Sequence, residues 1–315
     1  MRRIALALAL PLLAGVLMCP KDAVAKPGYA EISTQAESQV AVPAFSHIFL
    51  LLLENKEFNR VFRSPGAPYL NALAAEYGLA SQYYAVAHPS LPNYLALLGA
   101  DTFGVASNCR ACYQSAASLP DQLEAHGRTW KAYFESIPRA CYAGDSPDEL
   151  YVQKHNPFVY FDAIRQDATR CGRIVPLEEL SADLASGDVA DFVWIGPNMR
   201  SSTHSAPIDT GDRWLAAQLP EVLQSSAFEN EGLLVVTYDE GDSDAGCCGR
   251  TKGGGHVMTV LASPLGRRGF TSDIPHDHYS LLRTIEDAWD LGYLGHAADP
   301  SNANLAEFFA PPRSP

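Results

Sequence analysis

Two patterns of apolar residues alternate along the chain. Continuous runs at 47–53 (HIFLLLL), 83–87 (YYAVA), 129–134 (TWKAYF), 191–196 (DFVWIG), 232–238 (GLLVVTY) and 256–263 (HVMTVLAS) have the length and bounds of strands. The first lacks polar alternation, which predicts a strand buried on both faces. Segments at 68–78, 92–99, 119–127, 176–187, 209–226 and 279–292 instead repeat apolar positions at helical spacing, several with Pro near the start or Gly at the end. Strand followed by helix, repeated, predicts an α/β fold. Its mostly parallel central sheet would carry helices on both faces, in a single domain over residues 43–310. Right-handed crossovers would bring the carboxyl ends of the strands to one edge.

That edge collects the polar residues that leave the strands. Glu54 and Asn55 follow the first run directly, and Asp239 and Glu240 follow the run at 232–238. Carboxylates and an amide oxygen are hard ligands suited to a divalent cation. Either pair alone reads as readily as an exposed turn. Together they bring four such side chains to two strand ends, and several acids in one place need a cation to offset their repulsion. Asn198 leaves the run at 191–196, and His88 and Ser90 leave the run at 83–87.

Ser90 has two readings of equal standing. Just ahead of a helical segment, it is a good N-cap. The same position suits a nucleophile, because free backbone N–H groups and the helix dipole favour an anion beside the hydroxyl. A base or a metal would have to activate it. His155 (next to Lys154), His204, His256, His276 and His278 lie in polar loops at element boundaries. Such a set suits phosphate binding, proton donation or a second metal.

Composition narrows the partners. Of 315 residues, 47% are apolar, enough for a sizeable core, and the formal net charge is −13. That acidity argues against nucleic acid, whose phosphates need clustered Lys and Arg. At the N-terminus, Arg2 and Arg3 precede an apolar stretch at 4–18 and a small-x-small site at Ala23-Val24-Ala25. These are the parts of a signal peptide over 1–25, cleaved after Ala25. The stretch is short for a membrane span, so no stable membrane anchor is expected. Residues 26–42 read as a linker and 311–315 as a frayed tail. The mature chain would be periplasmic or secreted, with six cysteines in disulfides. Local spacing pairs Cys109 with Cys112, Cys141 with Cys171 and Cys247 with Cys248.

The segments LLLENKEF, HPSLPNYLALLGADTFG, KHNPFVYF, GPNMRSSTHSAPIDTGDRWL, VVTYDEGD and HDHYSLLRTIED occur in this order over about residues 46–292. In these the chain resembles the phosphoesterase family of bacterial phospholipases C and acid phosphatases, within the alkaline-phosphatase-like superfamily. The likeness is greatest to its short, secreted acid phosphatases. The resemblance implies an alkaline-phosphatase-like fold and a divalent metal held by Glu54, Asn55, Ser90, Asp239 and Glu240, and it allows a second metal. It implies Ser90 as the nucleophile of a phosphoserine intermediate and His204 as phosphoryl ligand or leaving-group acid. Asn93, Lys154, His155, Asn198, His256 and His278 would line the substrate pocket. The substrate would be a phosphate monoester, either a small molecule or a phosphoinositide head group. Two departures stand out. Ser201-Ser202-Thr203-His204-Ser205 replaces the family's Asn-Asp-Met-His-Asp, and the loop GDSDAGCCGRTKGGGH is longer than in short relatives. The alternatives are phosphodiester cleavage of the phospholipase C type, or metal-dependent binding without catalysis.

Overall fold

The computed structural model describes residues 41–309, so the expected signal peptide, most of the linker and the tail fall outside the described residues. Within them the strands are β1 (Ile48–Leu53), β2 (Gly78–Tyr84), β3 (Trp130–Phe134), β4 (Ile174–Pro176), β5 (Phe192–Gly196), β6 (Leu233–Tyr238), β7 (His256–Ala262), β8 (Phe270–Ser272) and β9 (His276–Asp277). They form one sheet in the order β4-β3-β5-β1-β6-β7-β2-β8, with β9 paired to β2.

The sheet is mostly parallel, as the alternation of elements implies. The departure is β7, which runs antiparallel to both β6 and β2. Its cause is the connection over 239–255, which contains no helix. A parallel return needs a long crossover, whereas a loop that folds straight back gives an antiparallel neighbour.

All six residues of β1 are buried, so this strand is covered on both faces. The helices fall into two groups that pack among themselves. Ser90–Gly99 meets His278–Trp289 and Leu119–Ala125, while Ile208–Leu223 meets Pro68–Glu76 and Glu179–Ser186. Every residue of Ser90–Gly99 is buried. Its unbroken apolar run follows from that, since each buried Leu contributes about 1.5–3 kcal/mol.

Some element bounds differ from the expectations. The strand expected at 83–87 is β2, which begins at Gly78 where the preceding helix ends. The segment at 176–187 starts as the end of β4 and becomes helical only at Glu179. The strands β4, β8 and β9 are two or three residues long, too short to show a period in sequence. The three disulfides pair Cys109 with Cys112, Cys141 with Cys171 and Cys247 with Cys248, as spacing indicated.

Candidate active site

Strand register builds the centre of the site. In the parallel pair β1–β6, Leu53 lies opposite Tyr238, so the next residues, Glu54 and Asp239, leave the sheet side by side. Asn55 follows at φ 50°, a left-handed conformation that Asn tolerates. Its backbone N–H donates to Asp239 Oδ1 at 3.0 Å and its Nδ2 to Glu240 Oε1 at 2.7 Å. The two strand ends are thereby tied together.

Ser90 arrives from β2 as the first residue of its helix, with Pro89 in the capping position. Its hydroxyl caps nothing. Oγ instead donates toward Glu240 Oε1 at 3.2 Å and Glu54 Oε2 at 3.4 Å. The adjacent helical N–H, that of Leu91, goes to Asn108 Oδ1 at 3.1 Å. The capping half of the dual reading therefore does not hold, and the hydroxyl is directed into the acids.

These acids are buried and crowded. Burial first, with Glu240 nearby, raises the Glu54 carboxyl to about 7, against the opposing effects of Tyr94 and Lys154. Burial, then Glu54 and Glu240, raises Asp239 well above the carboxylate range. Two buried oxygens, Asn55 Oδ1 and Asp239 Oδ2, have no hydrogen-bond partner. Ligand atoms of Glu54, His155 and His204 also lie within 4.8 Å of one another. Unsatisfied buried oxygens among desolvated carboxylates cost free energy that a divalent cation would offset. The donor set fits such an ion.

A basic side faces the acids. His155 Nε2 is 3.2 Å from Glu54 Oε2, yet it has no aligned hydrogen bond, and burial holds the ring well below its usual pKa. This contact is therefore a neutral imidazole beside a carboxyl group, not an ion pair. Tyr94 stacks on His155 with centroids 5.3 Å apart, and its hydroxyl donates to Glu54 Oε1. His204 lies 3.1 Å from Lys154 Nζ, measured at Nε2. Burial and the charge of Lys154 lower His204 to about 4. Lys154 then donates to Nε2 of a neutral ring, which leaves the ring proton on Nδ1.

The other expected pocket residues occupy different places. Asn93 is spent on structure: its Oδ1 accepts from Val86 and Ala87 N–H, and its Nδ2 donates to Ala87 O. His278 uses both nitrogens, at Asp239 O (2.7 Å) and at Tyr83 Oη (3.2 Å). His256 is stacked between Phe58 and Tyr84 and bonded to Ser81 O. Asn198 closes its own turn, accepting from Arg200 and Ser201 N–H. Among the described residues, then, the structure gathers Glu54, Asn55, Ser90, Lys154, His155, His204, Asp239 and Glu240, and leaves these four as supports around them.

Sequence reasoning missed Tyr94, Lys56 and Asn108, and offered His88 only as a polar residue at a strand exit. Tyr94 is four residues after Ser90 in the helix, so a shared face was readable. His88 bonds Glu240 through Nδ1 and Ser243 O through Nε2. Burial works against its charge, but these two acceptors outweigh burial and raise its pKa. Lys56 Nζ donates to Thr203 O at 2.8 Å, beside His204. Asn108 belongs to a distant loop and had no signal. The Gly-rich loop fits closely here: a Cβ at Gly254 would collide with Ala87 O, next to His88. Glycine lets the loop lie against the chain leading to Ser90.

Comparison with known proteins gives four findings. The sequence model of the phosphoesterase family matches residues 60–292. An acid phosphatase of Aspergillus fumigatus is 29% identical over 283 residues, covering 87% of this chain and 61% of that protein. This chain thus spans less than two thirds of that relative. A phosphatidylinositol-3-phosphatase of Mycobacterium tuberculosis is 29% identical, covering 82% of each chain. In fold, a solved protein of the alkaline phosphatase superfamily from Vibrio parahaemolyticus superposes with a TM-score of 0.52. It has 12% identity and covers 82% of this chain and 72% of that one.

Proposed function

From the premise that the chain belongs to the phosphoesterase family, we propose that it is a metal-dependent phosphomonoesterase whose nucleophile is Ser90. One observation carries the reading. The Ser90 hydroxyl is buried and directed at Glu240 and Glu54, within the carboxylate cluster that holds two partnerless oxygens. A structural serine has no need of such neighbours.

Glu54, Asn55, Asp239 and Glu240 would hold the metal, with His155 and His204 beside Glu54. When bound, a divalent cation stabilises developing negative charge and lowers the pKa of a hydroxyl. The residues do the rest. Glu240 and Glu54 orient Oγ by accepting its hydrogen bond. In-line attack of Oγ on phosphorus, its proton passing to the carboxylate that accepts its hydrogen bond, forms the Oγ–P bond as the ester P–O bond breaks and the leaving alkoxide takes up a proton. Water then hydrolyses the phosphoserine, releasing phosphate and restoring the hydroxyl. The Lys154 ammonium, next to His204 Nε2, neutralises phosphoryl oxygens and supplies a donor on the leaving-group side.

The closed disulfides and the N-terminal pattern support export, in an oxidising compartment. Among the described residues no helix is long and apolar enough to cross a membrane. The test is an assay of aryl phosphomonoester and phosphodiester, with and without chelator. Acid-quenched protein is then digested and the Ser90 peptide weighed. Chelator-sensitive monoester turnover with phosphate on Ser90 is the expected result. Preferred diester turnover, or no phosphopeptide, would overturn it.

A further inference from the structure

We propose that Arg110 and Lys154 form a subsite for a second anionic group, carried by the leaving-group half of the substrate. The inference rests on the roles given above to Ser90 and Lys154, and it names a substrate class: phosphate monoesters of small hydroxy acids or of other small anionic alcohols.

The subsite is a cavity of about 100 Å³ lined by Asn108, Arg110, Asp145, Gln153, Lys154 and Tyr160. Two of its walls touch the reaction centre. Asn108 Oδ1 accepts the N–H of Leu91, the neighbour of Ser90, and Lys154 Nζ is bonded to His204. A phosphate ester under attack by Ser90 would therefore turn its leaving group toward Lys154, at the cavity mouth.

Charge decides what fits there. Lys154 Nζ meets His204 Nε2 at 3.1 Å, and among the described residues no carboxylate pairs with it. Arg110 bonds Asp145 through Nη2, and among the described residues the rest of its guanidinium fork has no partner. Two cations thus meet one carboxylate, and a planar fork suits a carboxylate or phosphate. The neighbouring cavity, about 670 Å³, sets Asp145, Asp148 and Glu149 against Arg200, and so repels an anion. The walls of the small cavity are also held in place. The Cys109–Cys112 disulfide brackets Arg110, Gln153 Nε2 donates to Arg110 O at 2.9 Å, and Gln153 N donates to Asp145 Oδ1 at 2.9 Å. The volume equals that of about three waters in the liquid, enough for a short side group.

The test uses two probes of similar size, 3-phosphoglycerate and glycerol 3-phosphate, whose leaving groups differ in one carboxylate. Wild type is expected to favour 3-phosphoglycerate in kcat/KM. Arg110→Ala should lower kcat/KM for 3-phosphoglycerate about five- to tenfold and leave glycerol 3-phosphate within about twofold. Asp145→Asn should raise it for 3-phosphoglycerate alone. Equal effects on both probes, no effect on either, or a wild-type preference for glycerol 3-phosphate would overturn the subsite while the phosphatase reading stands. If wild type hydrolyses neither probe, calorimetry decides the subsite, and the phosphatase reading stands or falls on the aryl phosphomonoester. Tighter binding of 3-phosphoglycerate that Arg110→Ala removes sustains it, and equal binding of the two probes ends it.

Discussion

Ser90 Oγ lies 3.2 Å from Glu240 Oε1, across a gap of 150 residues in sequence. The contact exists because Ser90 opens a buried helix while Glu240 lies two residues past the end of the buried strand β6. Ser90→Ala removes the nucleophile and no helix-capping bond. Phosphomonoester turnover should fall by on the order of 10³-fold or more, with the circular dichroism spectrum and Tm nearly unchanged. Retained turnover would exclude Ser90 from the chemistry.

The crowding of Glu54, Asp239 and Glu240 gives metal removal a signature in stability. Added divalent cation should raise Tm and chelator should lower it, because ligand bound only to the folded state stabilises it by mass action. Asp239→Asn should raise the Tm of the chelated protein, since a buried repulsive charge is gone. It should also shrink the increment from added cation. Thermal scans with and without cation check both signs, and an unchanged increment would contradict Asp239 as a ligand.

Tyr94 donates to Glu54 Oε1 and stacks on His155, so it orients both. Tyr94→Phe keeps the stacking and deletes the bond. Loss of such a supporting bond weakens metal sites by about 10- to 100-fold. Cation titration followed by activity should show that shift in midpoint with maximal rate largely restored at saturation.

Asn93 holds the turn ahead of Ser90 by three hydrogen bonds. Asn93→Ala leaves two buried N–H groups without acceptors and should destabilise the fold by about 2–4 kcal/mol. Urea unfolding measures this directly. A loss in activity without a loss in stability would instead assign Asn93 to substrate.

Glu286 provides a pH test away from the site. Burial raises its carboxyl from 4.5 to about 7, although Leu294 N–H partly opposes this, and its Oε2 has no partner. The folded state therefore holds the proton more tightly than the unfolded state. Its stabilising effect is complete below about pH 4.5 and is lost as pH rises toward 7. Glu286→Gln should flatten the fall in Tm between those values, measured with saturating cation so that the metal site stays constant. Parallel profiles for variant and wild type would rule this out.

The sequence carried the fold further than the site. Alternating strand and helix patterns placed β1, β3, β5 and β6 within one or two residues, because long buried strands leave continuous apolar runs. The short β4, β8 and β9 left no such trace, and β2 was displaced because Gly78 reads as a helix stop and Ser81 and Gln82 interrupt its apolar run. The direction of β7 follows from the helix-free loop before it, information present in sequence but visible only once the loop is counted as a connection.

Residue type and position after a strand determined Glu54, Asn55, Asp239 and Glu240 as a candidate set, since register alone brings parallel strand ends together. Sequence could also offer Ser90, but only as either cap or nucleophile. The tertiary structure decided that choice by turning Oγ away from the helix N–H groups and toward the acids. It also divided the polar loop residues. Lys154, His155 and His204 meet the cluster, while Asn93, Asn198, His256 and His278 each bond backbone groups of the surrounding fold. The reason is physical: a side chain's chemistry follows from its type, but its free donors and acceptors are those left over after packing, and packing is settled by residues far away in the chain.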